Sequence, residues 1–190
     1  ESKANPGNQP GLTDTAVFRK STEANSSLLR KPGVKSKAIV DDGRKQMHKI
    51  FVDGKILAPA DFDLCWHTPE LSFPPTDVNE PFIQVIADKG LIQIDTALKL
   101  LSDRTRVAFL PLEKYDLDIE LARSFPADTC RRWCVLPFDR MSKSVLVATT
   151  NPFNRAAADE LEQATRQRLL WYLASPVEII MVSSFPRSSR

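Results

Sequence analysis

The sequence predicts an α+β fold, an α/β sandwich of helices packed on a small mixed β-sheet, preceded by an extended N-terminal tail. Three observations predict it. Short apolar runs at Val135–Phe138, Ser144–Thr149 and Leu169–Ala174 read as strands. A helix-period pattern from Asn154 to Gln167 lies between the second and third of them. The first 48 residues are poor in large apolar groups and rich in Gly, Pro, Ser and Asn.

The chain divides by composition into four stretches. Residues 1–48 form a basic tail, disordered or lying on a partner, because such a segment cannot bury enough apolar surface to offset its ordering entropy. Residues 1–50 hold ten Lys/Arg against five Asp/Glu, and the remainder sixteen against nineteen, so a basic tail precedes a mildly acidic globule. Its charges are interleaved with small polar residues and lack aromatic neighbours, which reads as a solvated segment rather than a nucleic-acid arm. Residues 49–79 are a hairpin and a Pro-rich strap. Asp53-Gly54 supplies the turn between Ile50–Val52 and Ile56–Leu57, and Pro59, Pro69, Pro74 and Pro75 punctuate the strap. Residues 80–183 are the globular domain, and 184–190 a C-terminal tail.

Within the globule, Phe82, Val85 and Ile86 form a short helix stopped by Gly90. Asp95 or Thr96 caps the next helix, whose apolar residues are Ala97, Leu98, Leu100 and Leu101. Arg106–Leu110 is a strand ended by Pro111. Asp116 or Asp118 opens a helix through Phe125, and Pro126 suits the first turn of another. Val135–Phe138 and Ser144–Thr149 pair antiparallel across the polar stretch between them. In the Asn154–Gln167 helix, Ala157, Leu161 and Ala164 share one face. Arg155/Asp159 and Glu162/Arg166 pair on the other, each adding about 0.3 kcal/mol. Leu169–Ala174 comes next as a strand and Pro176–Val182 as a final helix. No stretch reads as a repeat of another.

Several chemistries fail on residue types and spacing. All six glycines precede residue 91, and no glycine-rich loop leads into Lys-Ser/Thr, so a phosphate-cradling loop is not encoded here. Cys130 and Cys134 share a helix face, but a zinc site needs further ligands, and His48 and His67 lie far off in the tail and strap. Core packing is the simpler reading, and no metal or cofactor is expected. Cys65-Trp66-His67 reads as an aromatic anchor. Asp159-Glu160 and Asp116/Asp118 read as ordinary helix starts and solvated faces. Three cysteines without a dense framework fit reduced thiols. No apolar run approaches the ~20 residues of a membrane span. The suggestive polar group is Arg131-Arg132-Trp133 with Arg123 nearby, the composition of interface hot spots; Trp66 and Phe73 are the apolar anchors of the strap.

The stretch RVAFLPLEKYDLDIELARSFPADTCRRWCVLPF, succeeded by LVATTNPFN, DELEQAT and PVEII, resembles the N-terminal domain of type II secretion and type IV pilus assembly ATPases, the GspE/PilB family. The likeness spans about Leu98 to Val182. It implies a non-enzymatic adapter of a bacterial secretion, pilus or similar membrane-associated machine, cytoplasmic or peripheral to the inner membrane. Its partners would be protein subunits, among them an inner-membrane platform protein, with no nucleic acid. The alternative that the resemblance brings is a cyclic di-nucleotide sensor, because a subset of the family binds cyclic di-GMP through Arg-Leu-Gly, Gly-Leu-Ile and a downstream Gln. Here only Gly90-Leu91-Ile92 matches. Pro81-Phe82-Ile83 occupies the triplet position, and Arg104 stands near the Gln position. Gly90, Arg104 and Arg106 would be the ligand residues of that alternative.

Overall fold

The structure, a computed structural model, describes residues 40–183. Of the tail expected over residues 1–48, residues 1–39 lie outside the described residues, as does the one over 184–190; residues 40–48 are instead ordered, with a helix at Arg44–His48 and Met47 fully buried in the core. The first half of the described chain is helical: α1 (Arg44–His48) running into a π-helical turn (Lys49–Asp53), α2 (Pro59–Cys65), α3 (Phe82–Asp88) and α4 (Ile94–Thr105). A 3₁₀ turn (Leu112–Lys114), α5 (Ile119–Ser124) and α6 (Ala127–Trp133) lead into β1 (Val135–Met141) and β2 (Ser144–Thr149). Then come α7 (Arg155–Thr165), β3 (Arg168–Leu173) and α8 (Pro176–Ser183).

The hairpin expected over residues 49–57 is absent, because this stretch is helix and turn. Met47 and Phe51, four apart and both fully buried, give a helical face that packs against Phe82 and Ile86. Gly54 keeps a right-handed φ of −71°, and Lys55 takes the left-handed conformation instead, at 58°. The strap is also more ordered than its prolines suggest. Pro59 sits at the start of α2, where its missing N–H costs nothing.

The helical half contains a repeat that composition and periodicity do not reveal. Lys55 N–H donates to the Val52 carbonyl and Ile56 N–H to that of Phe51, each at 2.8 Å. Thirty-five residues on, Gly90 N–H donates to Ala87 at 2.8 Å and Leu91 N–H to Ile86 at 2.9 Å. Both turns carry one left-handed residue, Lys55 (φ 58°) and Gly90 (φ 69°). Both lead into a helix whose first bond reaches back to the cap residue, Phe62 to Ala58 and Ala97 to Gln93, each at 3.0 Å. This is one helix–turn–helix unit used twice, each turn closed by the bond pattern that satisfies orphan carbonyls at a helix end. Phe51 and Ile86, and Phe62 and Ala97, occupy equivalent buried positions in a shared core.

The second half is a three-stranded sheet in the order β1-β2-β3, with β1 antiparallel and β3 parallel to β2. Alternation sends Val135, Val145, Val147 and Leu169 toward α7, where Ala157 and Leu161 meet them. Leu136, Phe138, Leu146 and Ala148 face the other side, against Leu112 and Ile179 of α8. The register slips between Pro137 and Asp139, leaving Phe138 as the bulged residue. Its carbonyl accepts from Asp118 N–H at 2.8 Å, which fixes the start of α5 on the sheet edge. Asp118 itself caps α5, accepting from Leu121 N–H at 2.8 Å, and Asn154 caps α7, accepting from Ala157 N–H at 2.9 Å. Neither Asp95 nor Thr96 caps α4: its cap position is Gln93, with no side-chain bond.

The expected strand Arg106–Leu110 reduces to a single parallel bridge between Phe109 and Leu173. Arg106 is left-handed (φ 62°) and Pro111 can donate no hydrogen bond, so only two ladder bonds fit between them: Leu110 N–H to Leu173 at 2.7 Å and Leu173 N–H to Ala108 at 2.9 Å.

Candidate functional site

The side chains singled out from sequence fall into three places. The strap between α2 and α3 holds Trp66 and Phe73. Trp66 stacks on Phe62 at 5.4 Å and 17° and meets Phe82 at 5.2 Å. Its Nε1–H donates to Asp42 Oδ2 at 3.1 Å, and Thr68 Oγ1 donates to the same oxygen at 2.7 Å. Asp42 Oδ1 accepts from Arg44 N–H at 3.1 Å, and the Asp42 carbonyl accepts from Asn151 Nδ2 at 2.8 Å. Asp42, a buried carboxylate that no local sequence signal marks, thus ties α1, the strap and the β2–α7 loop together. Trp66 is an internal anchor, its indole already engaged.

Further along, Asn79 N–H donates to the Arg131 carbonyl at 2.8 Å, and Arg132 Nη2 reaches the Phe73 carbonyl at 3.5 Å. The backbone is held at these points while the Phe73 side chain stays 72% exposed and Leu71 44%.

The CRRWC cluster splits. Trp133 is buried and donates Nε1–H to Glu160 Oε1 at 3.1 Å. Arg132 Nη1 pairs with Glu160 Oε2 at 3.2 Å, and Thr129 Oγ1 donates to that oxygen at 3.0 Å. Glu160 therefore fastens α7 to α6, and Arg132 and Trp133 do not form the open patch expected of them. Residues one apart on a helix diverge by about 100°, so Arg131 points elsewhere. It lines an apolar pocket of about 70 Å³ with Arg123, Ile119, Ala122 and Leu136. Cys130 borders the same pocket, whereas burial pushes the Cys134 thiol up to about 12. Among the described residues no group of three or more His, Cys, Asp or Glu could hold a metal.

The alternative ligand residues are not convergent. Gly90 closes the first turn after α3, with open space where a Cβ would stand. Arg104 lies in the last turn of α4, whose twelve residues rise about 18 Å, and Arg106 comes just past the helix end. Arg104 lines a surface cleft of about 530 Å³ with Gln46, Lys49, Asp53 and Phe153. At the triplet position, Phe82 and Ile83 are buried in the aromatic core.

Two turn-linked helix pairs followed by a helix-covered mixed sheet make up the described fold. Residues 105–180 match the MshEN domain family model. The fold is similar to that of MshE solved with cdg (TM-score 0.50, 14% identity, 72% of this chain and 95% of that one). It is also similar to the N-terminal domain of XpsE (TM-score 0.53, 12% identity, 75% of this chain and 94% of that one). No curated protein matches the chain.

Proposed function

We propose that this domain is a non-enzymatic docking module of a bacterial secretion or pilus-type machine, working in the cytoplasm against a membrane-bound platform subunit. The observation that carries the reading is the Phe73 side chain, exposed to 72% on a strap whose backbone is held by the Arg132 side chain and, at Asn79, by the Arg131 carbonyl. A hot-spot aromatic on a pre-ordered backbone binds without an ordering cost. Kinship with the MshEN family supports the setting, and among the described residues no helix is long and apolar enough to cross a membrane. Co-purification with the cytoplasmic domain of the platform protein tests it. Phe73→Ala is expected to abolish the complex while leaving the fold intact; an undiminished complex overturns the reading.

A second reading, a cyclic di-nucleotide sensor, is favoured by two observations. MshE has been solved with cdg, and the two equivalent turns at Lys55 and Gly90 would suit a ligand of two equal halves. Against it stand Pro81 and the buried Phe82 and Ile83 where the family motif has Arg-Leu-Gly, so its arginine and close-approach glycine are missing. Calorimetric titration with cyclic di-GMP decides. Heat that disappears in Arg104→Ala supports the sensor, and no heat removes it.

A further inference from the structure

The strap carries one sign of charge. From Asp61 to Glu80 there are five carboxylates and no lysine or arginine. Asp63 is paired with Arg44 at 2.7 Å, and Arg132, the cation behind Phe73, is paired with Glu160. Glu70 and Asp77 lie three and four residues from Phe73, so neither is more than about 14 Å away along the chain, within about two Debye lengths at physiological salt. Glu80, at the strap's end, is crowded by Asp88: burial first, then a hydrogen bond and the charge of that neighbour, push its carboxyl up. An approaching cation would relieve that repulsion.

From this we infer that the strap receives a basic, apolar-punctuated segment of a partner protein. Leu71 and Phe73 take up its aliphatic side chains, and Glu70, Asp77 and Glu80 draw in its lysines or arginines. The inference rests on the docking reading above and adds the chemistry of the partner. An acidic strap is repelled by anionic lipid and by nucleic-acid phosphates, so neither surface fits it.

Fluorescence anisotropy of the full chain with a short peptide alternating lysine and leucine tests the inference. A glutamate/leucine peptide and phosphatidylglycerol vesicles serve as competing probes. The basic peptide is expected to bind, weakening about tenfold or more in Phe73→Ala and several-fold both in Glu70→Gln/Asp77→Asn and with added salt. Salt-insensitive binding, no binding of the basic peptide, or binding of the acidic peptide or of the vesicles that Phe73→Ala abolishes overturns the inference. The platform complex separates the two readings. If it is lost in Phe73→Ala but unchanged in Glu70→Gln/Asp77→Asn, docking stands and the basic partner falls. If it survives Phe73→Ala, docking itself falls.

Discussion

Trp133 donates its indole N–H to Glu160 at 3.1 Å, and the same carboxylate takes Arg132 at 3.2 Å and Thr129 at 3.0 Å. One acceptor from α7 thus satisfies three donors of α6. Removing it leaves a buried indole N–H and a mostly buried guanidinium without their partner.

Glu160→Ala is accordingly expected to cost about 2–4 kcal/mol, a fall in Tm of roughly 5–15 °C for a domain of this size. Glu160→Gln keeps an acceptor oxygen and should lose less. Thermal melts monitored by circular dichroism check both. Equal melting points for wild type and Glu160→Ala would contradict the assignment.

Gly43 and Gly90 both have positive φ, at 82° and 69°, yet their surroundings differ. A Cβ on Gly43 would stand 2.8 Å from Phe153 Cβ and 2.9 Å from its carbonyl carbon, whereas one on Gly90 would meet nothing within 4 Å. Gly90→Ala should therefore show only the backbone cost of about 1 kcal/mol. Gly43→Ala should exceed it by about 1–2 kcal/mol, since backbone must shift. Urea unfolding midpoints of the two variants rank them.

Burial holds the Cys134 thiol at about 12 and raises that of Cys65, in the second case against the nearby Lys89 charge. Both should resist iodoacetamide at about pH 8 in the native protein and react in urea, as read by peptide mass spectrometry. The folded state favours the neutral Cys134 thiol. Its contribution to stability is therefore whole below the ordinary thiol range and is lost as pH climbs toward about 12.

Glu80 has the same sign in the acid range. Its carboxyl is raised in the folded chain, by burial and then by Asp88, so the native state holds that proton more tightly than the unfolded state does. Stability should fall as pH rises through its titration. Glu80→Gln should flatten the fall in urea midpoint as pH rises above the ordinary carboxylate range, and an unchanged pH profile would contradict this.

What the sequence disclosed was local. Asn154 and Asp118 announce α7 and α5 because a capping side chain acts on amides three residues away. The apolar runs of β1, β2 and β3 are legible because alternation buries both faces of the sheet. The hairpin expectation fails because Asp53-Gly54 offers turn chemistry, while the partners that make Phe51 helical and buried, Phe82 among them, lie some thirty residues away. Arg106–Leu110 has strand composition without room for a ladder. The repeat is hidden because it is kept in backbone bonds, with Lys55 answering to Gly90 and Phe62 to Ala97. Arg132 and Trp133 have the composition of a hot spot, and nothing local marks Glu160, twenty-seven residues beyond Trp133, as their acceptor. Phe73, read as an apolar anchor of the strap, is 72% exposed, whereas Trp66 is the anchor that packs inward.

Arg132 reaches the Phe73 carbonyl at 3.5 Å with one nitrogen and Glu160 at 3.2 Å with another, so one guanidinium touches both the strap and α7. Loss of that side chain would release the strap at Phe73 and leave Glu160 with Trp133 and Thr129 alone.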